Sequence, residues 1–311
     1  MDNMIIKRCP EGSNLELRDH EGLKYLVFPE LEKIDGFTHM FSTRLGGVSK
    51  GCYSECNLSY TRGDEKEDVD ENFRRVSDAM GHGKKLDDFV LTYQTHTTNI
   101  RVVTEDDRGK GPARERDYRD VDGLVTNIPR IILGTFHADC PPVYFIDPVN
   151  KAIGLAHSGW KGTKGKISAE VIKVMAKEYG TKAADLICAI GPSICGDCYE
   201  IGSDVAVEFT TAFSDEELYG RNEETKDVLF GSDEQAANDR SVGPILIQYP
   251  NDKYRLHLWN AIKLTLIQAG VQPENIAVTD ICTRCNPDLL FSHRIHGELR
   301  GNLGAFLCID Q

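Results

Sequence analysis

Three residues of ligand type stand inside otherwise apolar, strand-like stretches: His96 in Tyr-Gln-Thr-His (93–96), Cys140 in Ala-Asp-Cys (138–140) and His157 in Ala-His-Ser-Gly-Trp (156–160). Two imidazoles and one thiolate can hold a zinc ion and leave its fourth tetrahedral position for water. Such an ion lowers the pKa of its bound water to roughly 7, which suits hydrolysis and nucleophilic displacement. Taken singly, a histidine beside a strand is more often a hydrogen-bonded structural residue, and a buried cysteine is more often inert. The steps of 44 and 17 residues between the three are also unlike the short loops of zinc fingers. Spacing alone leaves both readings open.

The elements that must position these residues follow from hydrophobic periodicity. Residues 24–29 and 37–43 read as strands, the second running into the Gly-rich turn Arg44-Leu45-Gly46-Gly47. Residues 68–80 read as a helix, with Val69, Phe73, Val76 and Met80 on one face and Gly81 at its end. The runs 131–136 and 142–147 are short, apolar and β-prone, and a turn at 147–150 leads into 151–157, a hairpin ending on His157. Further helices are expected at 166–179, 203–213 and 257–269, and further strands at 185–190, 275–281 and 303–309. Strands and helices interleave and hairpins recur, so the expected fold is α+β or mixed α/β, one domain over 1–311 built on mixed sheets flanked by helices. Residues 214–243 are polar and acidic and read as a mobile surface excursion or hairpin, with a lid over the site as the functional alternative.

Net charge is −13, which argues against nucleic acid or an anionic membrane as the main partner. A few local Arg and Lys residues still suffice for a small anionic substrate. No apolar run approaches the ~18 residues of a membrane span, and the N-terminal residues do not resemble a secretory signal. A cytoplasmic location is the expectation, and the ten cysteines then stay reduced. Oligomeric state is not set by the sequence.

Cys195-x-x-Cys198 and Cys282-x-x-Cys285 form the strongest metal signal by spacing, since two such pairs can make a four-thiolate zinc site. Because 83 residues lie between Cys198 and Cys282, these four are expected to be structural thiols. The stretch Gly159–Lys166 has the glycines of a phosphate loop but fails its pattern, with Ile167 where Ser or Thr is required.

Six segments occur in a fixed order: Tyr-Gln-Thr-His (93–96), Asp-Gly-Leu-Val-Thr-Asn (122–127), Ala-Asp-Cys-Pro-Pro-Val (138–143), Ala-His-Ser-Gly-Trp-Lys-Gly-Thr (156–163), Ile-Gly-Pro-Ser-Ile-Cys-Gly-Asp-Cys-Tyr-Glu-Ile-Gly (190–202) and Phe-Ser-His-Arg (291–294). With Ser-Thr-Arg-Leu-Gly-Gly-Val-Ser (42–49) and Cys-Asn-Leu (56–58), they closely resemble the YfiH/YlmD family from about residue 37 onward. That family carries two labels, multicopper polyphenol oxidase (laccase-like) and purine nucleoside phosphorylase. The resemblance implies one zinc held by His96, Cys140 and His157. It also implies phosphorolysis of adenosine to adenine and ribose 1-phosphate, deamination to inosine, and in some members cleavage of methylthioadenosine. Editing of peptidoglycan precursors is another family role. The chain departs from the pattern at Thr97, where Gly is usual, at His257-Leu258-Trp259-Asn260, and at Arg300-Gly301-Asn302-Leu303, where many members have Thr-Gly-Arg.

Around the metal triad, Asp139 is the candidate general acid/base, and Arg44, Asn57, Lys161 and Arg294 are candidates for holding substrate or phosphate. Copper chemistry is disfavoured: nine histidines and no His-x-His pair cannot supply a trinuclear cluster. The expectation is therefore a zinc-dependent adenosine enzyme that takes a nucleoside and phosphate. A phenol oxidase or peptidoglycan-precursor hydrolase is the alternative within enzymes, and an interaction protein with a closed structural metal is the alternative outside them.

Overall fold

Alternate residues along the longest strands bury in different layers, and this sorts the chain into two stacked sheets. The computed structural model describes residues 5–10, 12–219 and 242–310. One sheet runs β1 (Glu16–His20), β2 (Leu23–Val27), β3 (Phe37–Ser42), β15 (Leu303–Ile309), β7 (Ile132–His137) and β4 (Phe89–Leu91). The other runs β14 (Ile276–Val278), β10 (Ile187–Ile190), β8 (Pro142–Asp147), β9 (Ala152–His157), β6 (Gly123–Thr126) and β5 (Ile100–Val102). A small third sheet joins β11 (Glu200–Gly202), β13 (Lys253–Leu256) and β12 (Leu246–Tyr249). Pairing is antiparallel except for β4 with β7, β5 with β6 and β10 with β14. The two large sheets are mixed, as the interleaved pattern predicts, and the small third sheet is antiparallel.

The period of two explains the layers. In β8, Tyr144 and Ile146 join the core between the two large sheets, while Val143 and Phe145 face the helix Ile167–Tyr179 and its neighbour Leu258–Gln268. In β15, Leu303, Ala305, Leu307 and Ile309 enter the same inter-sheet core, while Phe306 and Cys308 pack against Val69, Phe73 and Val76 of the helix Lys66–Ala79. Covered on both faces, these strands carry continuous rather than alternating hydrophobicity. The result is a helix–sheet–sheet–helix stack.

Most expected elements lie within a few residues of the observed ones. The helix expected at 166–179 is Ile167–Tyr179, closed by Gly180 in the left-handed conformation (φ 73°), where no Cβ opposes the turn. The helix expected over 203–213 stops at Thr210, and the strand expected over 275–281 is only Ile276–Val278. Of the excursion at 214–243, Asp215–Tyr219 forms a short helix; residues 220–241 lie outside the described residues. Among the described residues no helix is long and apolar enough to cross a membrane.

Candidate metal centre

His157 is the last residue of β9 and pairs in register with Pro142, the first of β8. Cys140 lies in the turn that joins β7 to β8, and His96 follows β4 on the way to β5. Three strand ends drawn from both large sheets therefore deliver the three side chains to one place. Their ligand atoms all lie within 4.8 Å of one another. Cys140 Sγ is 3.9 Å from His96 Nε2, and the two imidazoles meet edge to face with centroids 4.9 Å apart.

Asp122, at the entry to β6, organises this group. One carboxylate oxygen accepts from His157 Nδ1 at 2.8 Å and from the His96 backbone N–H at 3.1 Å. The other accepts the N–H groups of Thr95 and Thr97 and the Thr97 hydroxyl. His96 adopts φ 64°, a left-handed conformation that costs a non-glycine residue on the order of 1–2 kcal/mol, and the collected hydrogen bonds offset that cost. Burial opposes the charge on Asp122, but His157 and the Thr97 and Thr95 amides hold its carboxyl below the usual range. Thr97, a departure from the family pattern, adds its hydroxyl to this carboxylate.

Burial likewise disfavours the Cys140 thiolate, yet His157 and His96 beside it pull the thiol down to about 6. His157 moves the opposite way: against burial, Cys140 and Asp122 raise it. His137, also near, is not a free ligand, because Nδ1 meets the Cys140 carbonyl at 2.9 Å and Nε2 meets the Thr135 hydroxyl at 2.7 Å.

The chain leaves room for an ion here. A Cβ added to Gly159 would lie 2.7 Å from His96 Cδ2 and 3.0 Å from Cys140 Sγ. The donor set fits zinc, with a thiolate, a histidine fixed from behind by a carboxylate and a second histidine facing open space. Once bound, the ion would supply Lewis acidity to an electronegative substrate atom or a water molecule.

The triad opens on a cavity of about 490 Å³, whose walls include Tyr60, Tyr93, Phe136, Arg62, Arg116 and Arg300. Sequence reasoning missed these three arginines. Arg300 is buried, and its Nε has no hydrogen-bond partner among the described residues. Burial, and then the neighbouring Arg62, lower its guanidinium to about 10. Arg116 stacks on Tyr93 at 5.0 Å, and Arg62 pairs with Glu298 at 2.6 Å.

The other expected site residues lie outside that wall. Arg44 donates to the carbonyls of Ser54 and Pro287 and stacks on Phe291, so its fork is spent on the chain itself. Wholly buried Asn57 ties Ser59 to Asn302 and so supports two segments of the wall. Asp139 has both carboxylate oxygens engaged, by the Thr283 hydroxyl at 2.6 Å and the Arg294 N–H at 2.7 Å. Lys161 is exposed beside Trp160, and the exposed Arg294 guanidinium lies over Tyr199.

A family model described as multi-copper polyphenol oxidoreductase laccase matches residues 38–310. The purine nucleoside phosphorylase YlmD of Bacillus subtilis is 33% identical over 278 residues, 89% of this chain and 88% of that protein. The chain belongs to the YfiH/YlmD family. Another relative, the adenosine deaminase RL5 from an unknown prokaryotic organism, is 32% identical over 85% of this chain and 93% of its own length. Among solved structures, YlmD from Geobacillus stearothermophilus matches with TM-score 0.80 at 28% identity, covering 96% of this chain and 100% of that one. The fold and the ordered motifs of the YfiH/YlmD family are thus both present.

Proposed function

We propose that this chain is a zinc-dependent purine nucleoside enzyme acting on adenosine, by phosphorolysis to adenine and ribose 1-phosphate, by deamination to inosine, or by both, with methylthioadenosine as a further phosphorolysis substrate. One observation carries the reading: a single cavity joins the His96–Cys140–His157 donor set to Arg300, with its unpartnered Nε, and Arg62. Relatives named purine nucleoside phosphorylase and adenosine deaminase support the substrate class.

The chain's own groups divide the work. His96, Cys140 and His157 hold the ion, and Asp122 orients His157 by keeping its proton at Nδ1. Arg300 and Arg62, rather than Arg44, receive phosphate; two guanidiniums kept close inside a wall invite an anion between them. Tyr60, Tyr93 and Phe136 give the cavity flat apolar surface for a purine. Asp139 acts as a positioning residue, since Thr283 and Arg294 already occupy its oxygens. Zinc is preferred to copper because two histidines and one thiolate lack the further histidines that multicopper oxidation requires. The same reading assigns the enzyme to the cytoplasm, where its thiols stay reduced.

Adenosine incubated with phosphate and either native protein or Cys140→Ala, followed by chromatography, tests the proposal. Adenine with ribose 1-phosphate, or inosine, forms with the native protein and falls to background with the variant. Omitting phosphate separates the reactions, because deamination persists and phosphorolysis stops. Absence of any Cys140-dependent product from adenosine overturns the assignment.

A further inference from the structure

The two C-x-x-C pairs, read from the sequence as separate structural thiols, converge in the folded chain. The sulfur atoms of Cys195, Cys198, Cys282 and Cys285 all lie within 4.8 Å of one another, with Cys198 and Cys285 at 3.4 Å. Four thiolates around one tetrahedral ion, each at ~2.3 Å, sit about 3.8 Å apart. An iron–sulfur cluster would spread the same four sulfurs over several irons and needs a wider opening. We propose that these cysteines hold a second zinc ion, in a closed four-thiolate site distinct from the His96–Cys140–His157 centre.

Strand pairing explains why the long separation in sequence is no obstacle. β10 and β14 run parallel side by side, with Ile190 opposite Val278. The chain leaves both strands in the same direction, and Thr279 N–H donates to the Ile190 carbonyl at 2.8 Å. Ser193 then bridges to Cys282, and Thr283 N–H donates to the Ser193 carbonyl at 3.1 Å. Each C-x-x-C pair therefore starts from a matched position on one of two neighbouring strands. The first closes as a tight turn, with Cys198 N–H on the Cys195 carbonyl at 3.1 Å.

The surroundings suit a buried anionic cluster. Cys195, Cys198 and Cys282 are buried and Cys285 is half-buried, among Ile194, Tyr199 and Trp259. Donors point at the sulfurs: the Cys195 N–H at Cys282 Sγ, 3.3 Å, and Arg284 Nη1 at Cys198 Sγ, 3.4 Å. A zinc ion with four thiolates carries a net charge of about −2, which such donors offset. Four thiols crowded together without an ion gain only weak mutual hydrogen bonds. Cys9 packs against the cluster but stands outside the group of four.

The site also braces the first centre. Ile194 N–H donates to the Asp139 carbonyl at 2.9 Å, and the Thr283 hydroxyl donates to its carboxylate. The loops that the second zinc joins thus hold the residue that precedes Cys140.

Metal analysis of the full chain, with zinc X-ray absorption, tests this. The native protein should carry two zinc ions per chain. The combined variant His96→Ala, Cys140→Ala, His157→Ala should keep one, with a sulfur-only shell at ~2.3 Å. Cys198→Ser with Cys285→Ser should lower the native content from two ions to one. A folded triple variant without zinc overturns the proposal, as does iron–thiolate absorption or a mass showing disulfides among the four in freshly isolated protein. The native chain gives a reading that needs no variant: one zinc with mixed nitrogen and sulfur ligands is also fatal.

Discussion

Asp122 fixes which nitrogen of His157 is free. By accepting the Nδ1 proton at 2.8 Å it leaves Nε2 as the nitrogen that a bound ion would take, and the same carboxylate pins the left-handed turn at His96. Asp122→Asn keeps the volume but removes the charge and one acceptor, so it loosens both histidines together. Zinc affinity should fall about 10- to 100-fold, measured by competition with a chelator while circular dichroism stays native; an affinity equal to that of the native protein would show that Asp122 only ties loops together. Arg44 is the instructive contrast. An arginine beside a Gly-rich turn reads as an anion fork, yet its donors go to Ser54 and Pro287 carbonyls, and backbone acceptors from distant segments leave no trace in the local sequence. Arg300 stands out in the sequence only as a departure from the family pattern, and the fold places it in the wall of the cavity that His96, Cys140 and His157 also line.

Gly159 links the end of β9 to the helix Trp160–Lys164. Its φ of −62° suits any residue, so only the space beside His96 and Cys140 requires glycine. Gly159→Ala should therefore leave thermal stability near native while zinc affinity falls about 10- to 100-fold; retention of zinc with native affinity would mean that the ligands stand elsewhere when the ion is bound. Element by element, the long segments were readable because one face or both faces bury: Val69, Phe73 and Val76 give the helix Lys66–Ala79 its period, and the run Leu303–Ile309 is apolar throughout because both its faces bury. β4, β5, β6 and β11, of three or four residues each, are too short to show a period. The convergence of the C-x-x-C pairs was hidden for a related reason, since it depends on the parallel pairing of β10 with β14, a non-local event. The convergence of His96, Cys140 and His157 was legible through their ordered motifs, whereas Asp122 opens one of those motifs with no local signal that its carboxylate reaches His157.

At the scale of the whole molecule, the inter-sheet core must exclude water from every polar group it contains, and His39 is the telling case. It lies on β3, meets Phe28 and Tyr144 ring to ring, and its Nε2 accepts the Phe28 N–H at 2.8 Å. Burial lowers its pKa to about 3, so the folded chain keeps it neutral where the unfolded chain, near 6.5, takes up a proton. The folded value is depressed, so this contribution is complete above pH 6.5 and is lost progressively as pH falls towards 3. Between pH 6.5 and 5 the loss amounts to about 2 kcal/mol, at roughly 1.4 kcal/mol per pH unit. Urea unfolding at pH 7.5 and 5.0 should show that decline in the native chain and a flatter dependence in His39→Gln, which cannot titrate. Equal slopes in the two proteins would mean that acid reaches the fold through other groups and that His39 is not the weak point of the sandwich.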